Sequence, residues 1–272
     1  YRVAVAGGQS PCPPATELSP NKTYGNAMTQ QEEFERMRET ARQFTYLPYV
    51  PGVSMPACPL DSLVGEAPAG KGDEPPVDSC PRPALGQPAP GLAECEALWD
   101  KYGVPPHIRE HCRQVARVLL SVGDLAISKG ARLDRPTMLA GGLLHDLAKM
   151  YTVNYPGDHA QVGAALVLRE TRNYRVAQMV YHHVDWPWEL DVHNDIILPV
   201  LLLIYADKRV MHDRIVSLDE RFRDLNQRYG KTERSRAILA YSHHRGKEIE
   251  QALSKRLEVS VDEYPVDSGR LV

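Results

Sequence analysis

Fifteen of the 22 prolines lie before residue 92 and seven lie after it. Proline fixes φ and carries no amide hydrogen, so a segment dense in it propagates neither a helix nor a central strand. Residues 47–92 hold the pair Pro75-Pro76 and a run from Pro81 to Gly91 in which Pro and Gly recur. This stretch reads as a linker or an extended, partly disordered segment. Within residues 1–91 one helix is expected, opened by Thr29 with Glu32 and Glu33 in its first turn and continued by Phe34, Met37, Ala41 and Phe44 at helical spacing. A short strand is expected at residues 1–6. Gly7-Gly8 after it reads as a turn, because the longer glycine fingerprint of a phosphate loop is missing.

From residue 92 onward the apolar pattern is helical almost throughout. Helices are expected at 92–102, from Pro105-Pro106 to near Gly130, and at 136–150, 158–172, 175–183, 195–212, 218–229 and 232–257. The second buries Val115, Val118, Leu119, Val122, Leu125 and Ala126, and the third Met138, Leu139, Leu143, Leu144 and Leu147. The expected architecture is all-α, helices packed on helices. The domain reading is a Pro/Gly-rich segment at 1–91, a helical domain at 92–258 and a tail at 259–272.

Composition excludes several classes. Net charge is -3 and the pI is about 6.4, so no global basic field recruits nucleic acid or anionic lipid. The longest apolar run, 196–206, is about half the roughly 20 residues of a membrane span. The first residues lack the layout of a signal peptide, and a start at Tyr1 is expected of a fragment or trimmed chain. Cys12, Cys58, Cys80, Cys95 and Cys112 are widely spaced with no C-x-x-C. An odd, irregular set argues against a disulfide scaffold, and spacing gives no support to an iron–sulfur site at Cys12, Cys58 and Cys80. A reducing cytoplasm is the expected compartment.

The candidates for chemistry are histidines and aspartates. His145-Asp146 ends the apolar run Leu143-Leu144, where two polar side chains are costly unless their desolvation is offset, and a metal ion is the simplest offset. His111, with His107 one turn before it, lies upstream; His159, His182, His183 and Asp207 lie downstream. Each has a plainer alternative. His111 reads equally as a hydrogen-bonded core residue, His159 as an exposed neighbour of the cap Asp158, His182-His183 as a solvated pair and Asp207 as a surface ion-pair partner. As a series on successive helices they form the type of set from which helical domains build metal sites. Nitrogen and oxygen donors in this mixture suit Fe, Mn, Zn, Co or Ni.

The order His111, His145-Asp146, Asp207 resembles the motif of the HD superfamily of metal-dependent phosphohydrolases. His159 and His182 resemble the additions of its two-metal subset, Lys149 matches the lysine that often follows the dyad, and Tyr205-Ala206-Asp207-Lys208 resembles the closing segment. The likeness covers about residues 100–230. It implies a bundle of about seven helices and a cytoplasmic phosphohydrolase acting on a nucleotide or related phosphate ester through a metal-activated hydroxide. In that scheme His111, His145, Asp146 and Asp207 hold a first divalent ion, and Asp146, His159 and His182 a second, with His183 replacing or joining His182. Asp146 and Lys149 are then catalytic, and Lys149, Lys208 and Arg209 contact substrate phosphate. The sequence after His183 (Val184-Asp185-Trp186-Pro187) is unlike the cyclic-dinucleotide branch. The dyad is followed by Lys149 and Met150 where alarmone hydrolases have an acidic pair. The layout is nearer the symmetrical dinucleoside-tetraphosphate hydrolases and stand-alone bacterial proteins of unassigned substrate. Trp186 and Trp188 read as core packing, with base stacking as the alternative use. Two other functions fit the same residues: a di-iron HD-type oxygenase, and a non-catalytic metal- or ligand-sensing module. The oligomeric state is left open.

Overall fold

The computed structural model describes residues 87–155 and 157–266. The expected N-terminal strand, the Gly7-Gly8 turn, the helix beginning at Thr29, most of the Pro-rich segment and Cys12, Cys58 and Cys80 lie outside the described residues.

Helix α1 (Leu92–Lys101) opens where the Gly91 amide donates to Glu94 Oε2 at 2.7 Å, and it buries Cys95 and Trp99. Pro106 starts α2 (Pro106–Ser128), whose long buried face runs from His111 through Val115, Leu119 and Val122 to Ala126. Asp134 caps α3 (Arg135–Leu144) by accepting the Thr137 amide at 2.9 Å. After a turn over 145–148 comes α4 (Lys149–Asn154), with no buried residue. Asp158 caps α5 (His159–Thr171), and Asn173 caps α6 (Tyr174–His182). The most apolar helix, α7 (Leu198–Lys208), is buried on nearly every side, as its sequence requires of a central element. Two-residue strands β1 (Val210–Met211) and β2 (Arg214–Ile215) pair antiparallel, with Val210 opposite Ile215. Ser217 and Thr232 then cap α8 (Leu218–Tyr229) and α9 (Glu233–Leu257). Among the described residues no helix is long and apolar enough to cross a membrane.

The described part is a helical bundle in which α2 packs against α3 and α7, α6 against α3, α5 and α7, and α9 against α7 and α8. Three details differ from the sequence expectation. The helix expected over 136–150 is cut at His145, where the Leu147 amide bonds back to the Leu144 carbonyl (3.1 Å) rather than four residues back. The helix expected over 195–212 starts at Leu198 and stops at Lys208, because the chain reverses in the small hairpin. With the helix over 136–150 divided there are nine helices among the described residues, one more than the eight spans read from the apolar pattern. Residues after α9 also join the core: Val261 is buried, and its neighbour Asp262 receives Arg209 Nη2 at 2.9 Å through its carbonyl oxygen.

One close approach sets how α2 and α3 sit. A methyl group on Gly142 would fall 2.8 Å from the Ala116 Cα and 2.9 Å from its Cβ, so only glycine lets the two helices meet there. At Gly141 the obstruction would be the thioether end of Met179, which can move. Gly142→Ala is therefore expected to destabilise the fold by about 1–3 kcal/mol through overpacking, with Gly141→Ala costing clearly less. Thermal or urea unfolding of the two variants checks the order; equal stabilities would refute it.

Candidate metal centre

The site forms where α2, the turn after α3, the start of α5, the end of α6 and the end of α7 meet. His111 sits on the buried face of α2. Its Nδ1–H donates to the His212 carbonyl at 3.2 Å, and its Nε2 lies 3.0 Å from Asp207 Oδ1. His212 takes a left-handed conformation (φ 59°) in the hairpin turn, so the hairpin that was not foreseen presents the carbonyl that orients His111. His145 is fully buried, and its Nδ1–H donates to the Gly142 carbonyl at 2.8 Å. Its Nε2 lies 3.7 Å from both Asp146 Oδ2 and Asp207 Oδ1 and has no hydrogen-bond partner among the described residues.

Asp146, 2% exposed, turns Oδ1 toward His159 Nε2 at 3.3 Å and His183 Nε2 at 3.6 Å. Those two ring nitrogens are 3.1 Å apart, and His183 Nδ1–H donates to the Val180 carbonyl at 2.7 Å. The ligand-type atoms of His111, His145 and Asp207 lie within 4.8 Å of one another, and so do those of Asp146, His159 and His183. The rings are contiguous: centroids are 5.4 Å apart for His111–His145, and 5.0 Å for both His145–His183 and His159–His183.

This geometry tests whether a cation fits. Three imidazoles commit Nδ1–H to a backbone carbonyl, so each neutral ring carries its lone pair on Nε2. Those lone pairs face carboxylate oxygens and one another in a largely buried site, an arrangement that repels itself unless positive charge stands between them. Fixing a ring through its second nitrogen is also the way a protein orients metal-binding histidines. The orphaned, buried Nε2 of His145 is the clearest sign that the donor set fits divalent metal.

The electrostatics agree. Burial lowers the His145 pKa to about 4 against the pull of Asp146 and Asp207, so its Nε2 remains a donor to metal in mildly acidic solution. Burial raises the Asp146 carboxyl, but His145, Lys149, His159 and His183 outweigh it and hold the group well below its usual range. Asp207 is likewise raised by burial and held well below its usual range by His111 and His145. Lys149 Nζ lies 3.0 and 3.2 Å from the two Asp146 oxygens, and Asp146 and Asp207 raise its pKa against the partial desolvation of its side chain.

Of the residues singled out from sequence, the structure brings together His111, His145, Asp146, His159, His183 and Asp207, with Lys149 at the edge. It does not bring in His182. The resemblance pointed to His182 first, but successive helical residues diverge by about 100°, and it is His183 that turns inward. The His182 ring packs edge-on against Tyr181, Trp186 and Trp188, with centroids 4.7, 5.1 and 5.3 Å away, and burial lowers its pKa to about 4. Lys208 and Arg209 are also corrected as phosphate contacts. Both are buried: Lys208 Nζ donates to the Val184 carbonyl at 3.0 Å, and Arg209 donates to the carbonyls of Val216 and Asp262 and to the Tyr205 hydroxyl. His107 is exposed in the first turn of α2. Trp186 is buried and donates Nε1–H to the Glu189 carbonyl at 3.0 Å, as core packing requires. Sequence reasoning missed the carbonyls of Gly142, Val180 and His212. The pair Gly141-Gly142 just before the dyad was the one local sign that the helix ends there.

Residues 108–218, from the first turn of α2 to the first residue of α8, match the family model described as HD domain. This segment is therefore an HD domain, a domain found in general in metal-dependent phosphohydrolases. No solved structure matches the chain.

The pKa shifts give a stability profile for the metal-free protein. His145 has a folded pKa near 4 against an ordinary 6.5, so between those values the unfolded chain takes up a proton that the folded chain refuses. Stability is full above pH 6.5 and is lost as pH falls toward 4, by roughly 3 kcal/mol for this group. His182 acts in the same window, and the depressed Asp146 and Asp207 extend the loss below pH 4. Denaturant titrations of chelator-treated protein from pH 7.5 to 4 check this, with His145→Gln expected to flatten the profile. A flat wild-type profile contradicts it.

Proposed function

We propose that this domain holds two divalent ions and hydrolyses a phosphate ester, with a nucleotide or closely related phosphate as substrate. The observation that carries the reading is the pair of buried nitrogen–oxygen triads meeting at one carboxylate, with a lysine ammonium beside it. His111, His145 and Asp207 are the ligands assigned to one ion, and Asp146, His159 and His183 to the other. Asp146 would contribute to both sets, because Oδ2 faces His145 while Oδ1 faces His159 and His183. When bound, such ions polarise a phosphoryl oxygen and bring the ionisation of water toward neutral pH.

The protein's own groups then do three things. The Gly142, Val180 and His212 carbonyls accept the outward Nδ1–H of His145, His183 and His111, so in each neutral ring the lone pair sits on the inward Nε2. Leu143 and Leu144 before the dyad and Tyr205 and Ala206 before Asp207 are buried and back the ligands with apolar packing. Lys149, whose side chain is 42% exposed while its partner Asp146 is 2% exposed, places a positive charge between the carboxylate and solvent, where it can pair with phosphate oxygens.

Purified protein is expected to take up about two equivalents of Mn, Fe, Co, Ni or Zn, falling to about one in Asp207→Ala and in His159→Ala. Loaded protein is expected to release phosphate or a nucleoside phosphate from some member of a broad phosphoester panel. Asp146→Ala should abolish turnover with the circular dichroism spectrum retained, and Lys149→Ala should lower kcat/KM by about 10- to 100-fold. Absence of hydrolysis across the panel refutes the proposal, and oxygen-dependent product formation by iron-loaded protein supports the oxygenase alternative instead.

A further inference from the structure

We infer that Trp99 is a positioning residue for the His145-Asp146 pair, and that the functional unit therefore begins at α1 rather than at the start of the HD-matched segment. The inference rests on the metal-binding reading above. Its basis is the way α3 ends. Cutting an α-helix releases its last carbonyls, and in a buried place each needs a new donor. At this break the Leu147 amide turns to Leu144, which leaves the Leu143 carbonyl without its α-helical partner. His145 Nδ1–H takes the Gly142 carbonyl at 2.8 Å, and Trp99 Nε1–H takes that of Leu143 at 2.9 Å. One of these two bonds belongs to the site itself; the other comes from a residue 44 positions earlier in the chain.

Trp99 is suited to this. It is completely buried, and its indole nitrogen is its single polar atom, a donor only. The Arg113 guanidinium lies 5.0 Å over its ring and is tied back to Glu96 Oε1 of α1 at 2.8 Å. Arg113 follows His111 by two residues on α2, so the same indole touches both of the helices that carry His111 and His145. The pinned carbonyl lies two residues before His145 and three before Asp146, so slack there displaces both side chains. Residues 108–218 match the HD family, and α1 lies before them.

The test measures the dissociation constant of Mn²⁺ for the full chain by chelator competition. It compares wild type, Trp99→Phe and a variant carrying benzothienylalanine at position 99, which keeps the two-ring bulk and lacks only the N–H. Both variants are expected to keep the helical circular dichroism spectrum and to bind Mn²⁺ about 10- to 100-fold more weakly, the range for outer groups that orient metal ligands. Cys95→Ala separates positioning from mere packing. Cys95 is buried on the same helix and its thiol contacts the Pro90 carbonyl, away from the dyad, so this variant should melt earlier with its Mn²⁺ affinity unchanged. Wild-type affinity in the benzothienylalanine variant overturns the inference, as does equal weakening by Cys95→Ala. A wild-type chain that takes up no metal at all overturns the metal reading beneath it instead.

Discussion

The constraint on which this structure depends is the convergence of imidazole lone pairs and carboxylates in an apolar interior. Burying such groups without compensation costs several kcal/mol for each charge. The compensation has two layers. Backbone carbonyls of Gly142, Val180 and His212 absorb the outward N–H groups, and a cation is what the inward nitrogens and the Asp146 and Asp207 oxygens call for. An unliganded chain leaves His145 Nε2 without a partner, which makes metal binding and conformational stability two aspects of one balance.

The helices serve this convergence by where they stop. His145-Asp146 follows the end of α3, His183 follows α6, Asp207 comes one residue before the end of α7, and His159 opens α5. Residues at helix ends can turn side chains toward a common point while the helix bodies stay packed. Gly142 lets α2 and α3 approach closely enough to bring His111 beside His145, and Trp99 secures the carbonyl that the break exposes. Lys208 and Arg209 belong to the same scaffold: one ties α7 to the turn after His183, and the other ties the chain just after α7 to Val216, which follows β2, and to the residues beyond α9.

The helical architecture was legible because apolar residues recur at helical spacing from Leu92 onward and proline is concentrated before them. Six of the clustered side chains were legible as well, since histidine and aspartate beside apolar runs are out of place unless partnered. What escaped reading was tertiary. Leu147 continues the spacing of Leu143 and Leu144, so the break at His145 carries no periodic signal. The choice between His182 and His183 hung on the phase of α6, about 100° per residue, which a nine-residue helix between two loops does not fix locally. Lys208 and Arg209 were read as phosphate contacts because the carbonyls that hold them, of Val184, Val216 and Asp262, lie outside α7.

Anomalous diffraction from crystals of the Mn- or Fe-loaded protein addresses the convergence most directly. Two peaks are expected, one among His111, His145 and Asp207 and one among Asp146, His159 and His183, with Asp146 between them. Crystals of fully loaded protein showing no anomalous density within either triad would contradict the assignment of these side chains to metal.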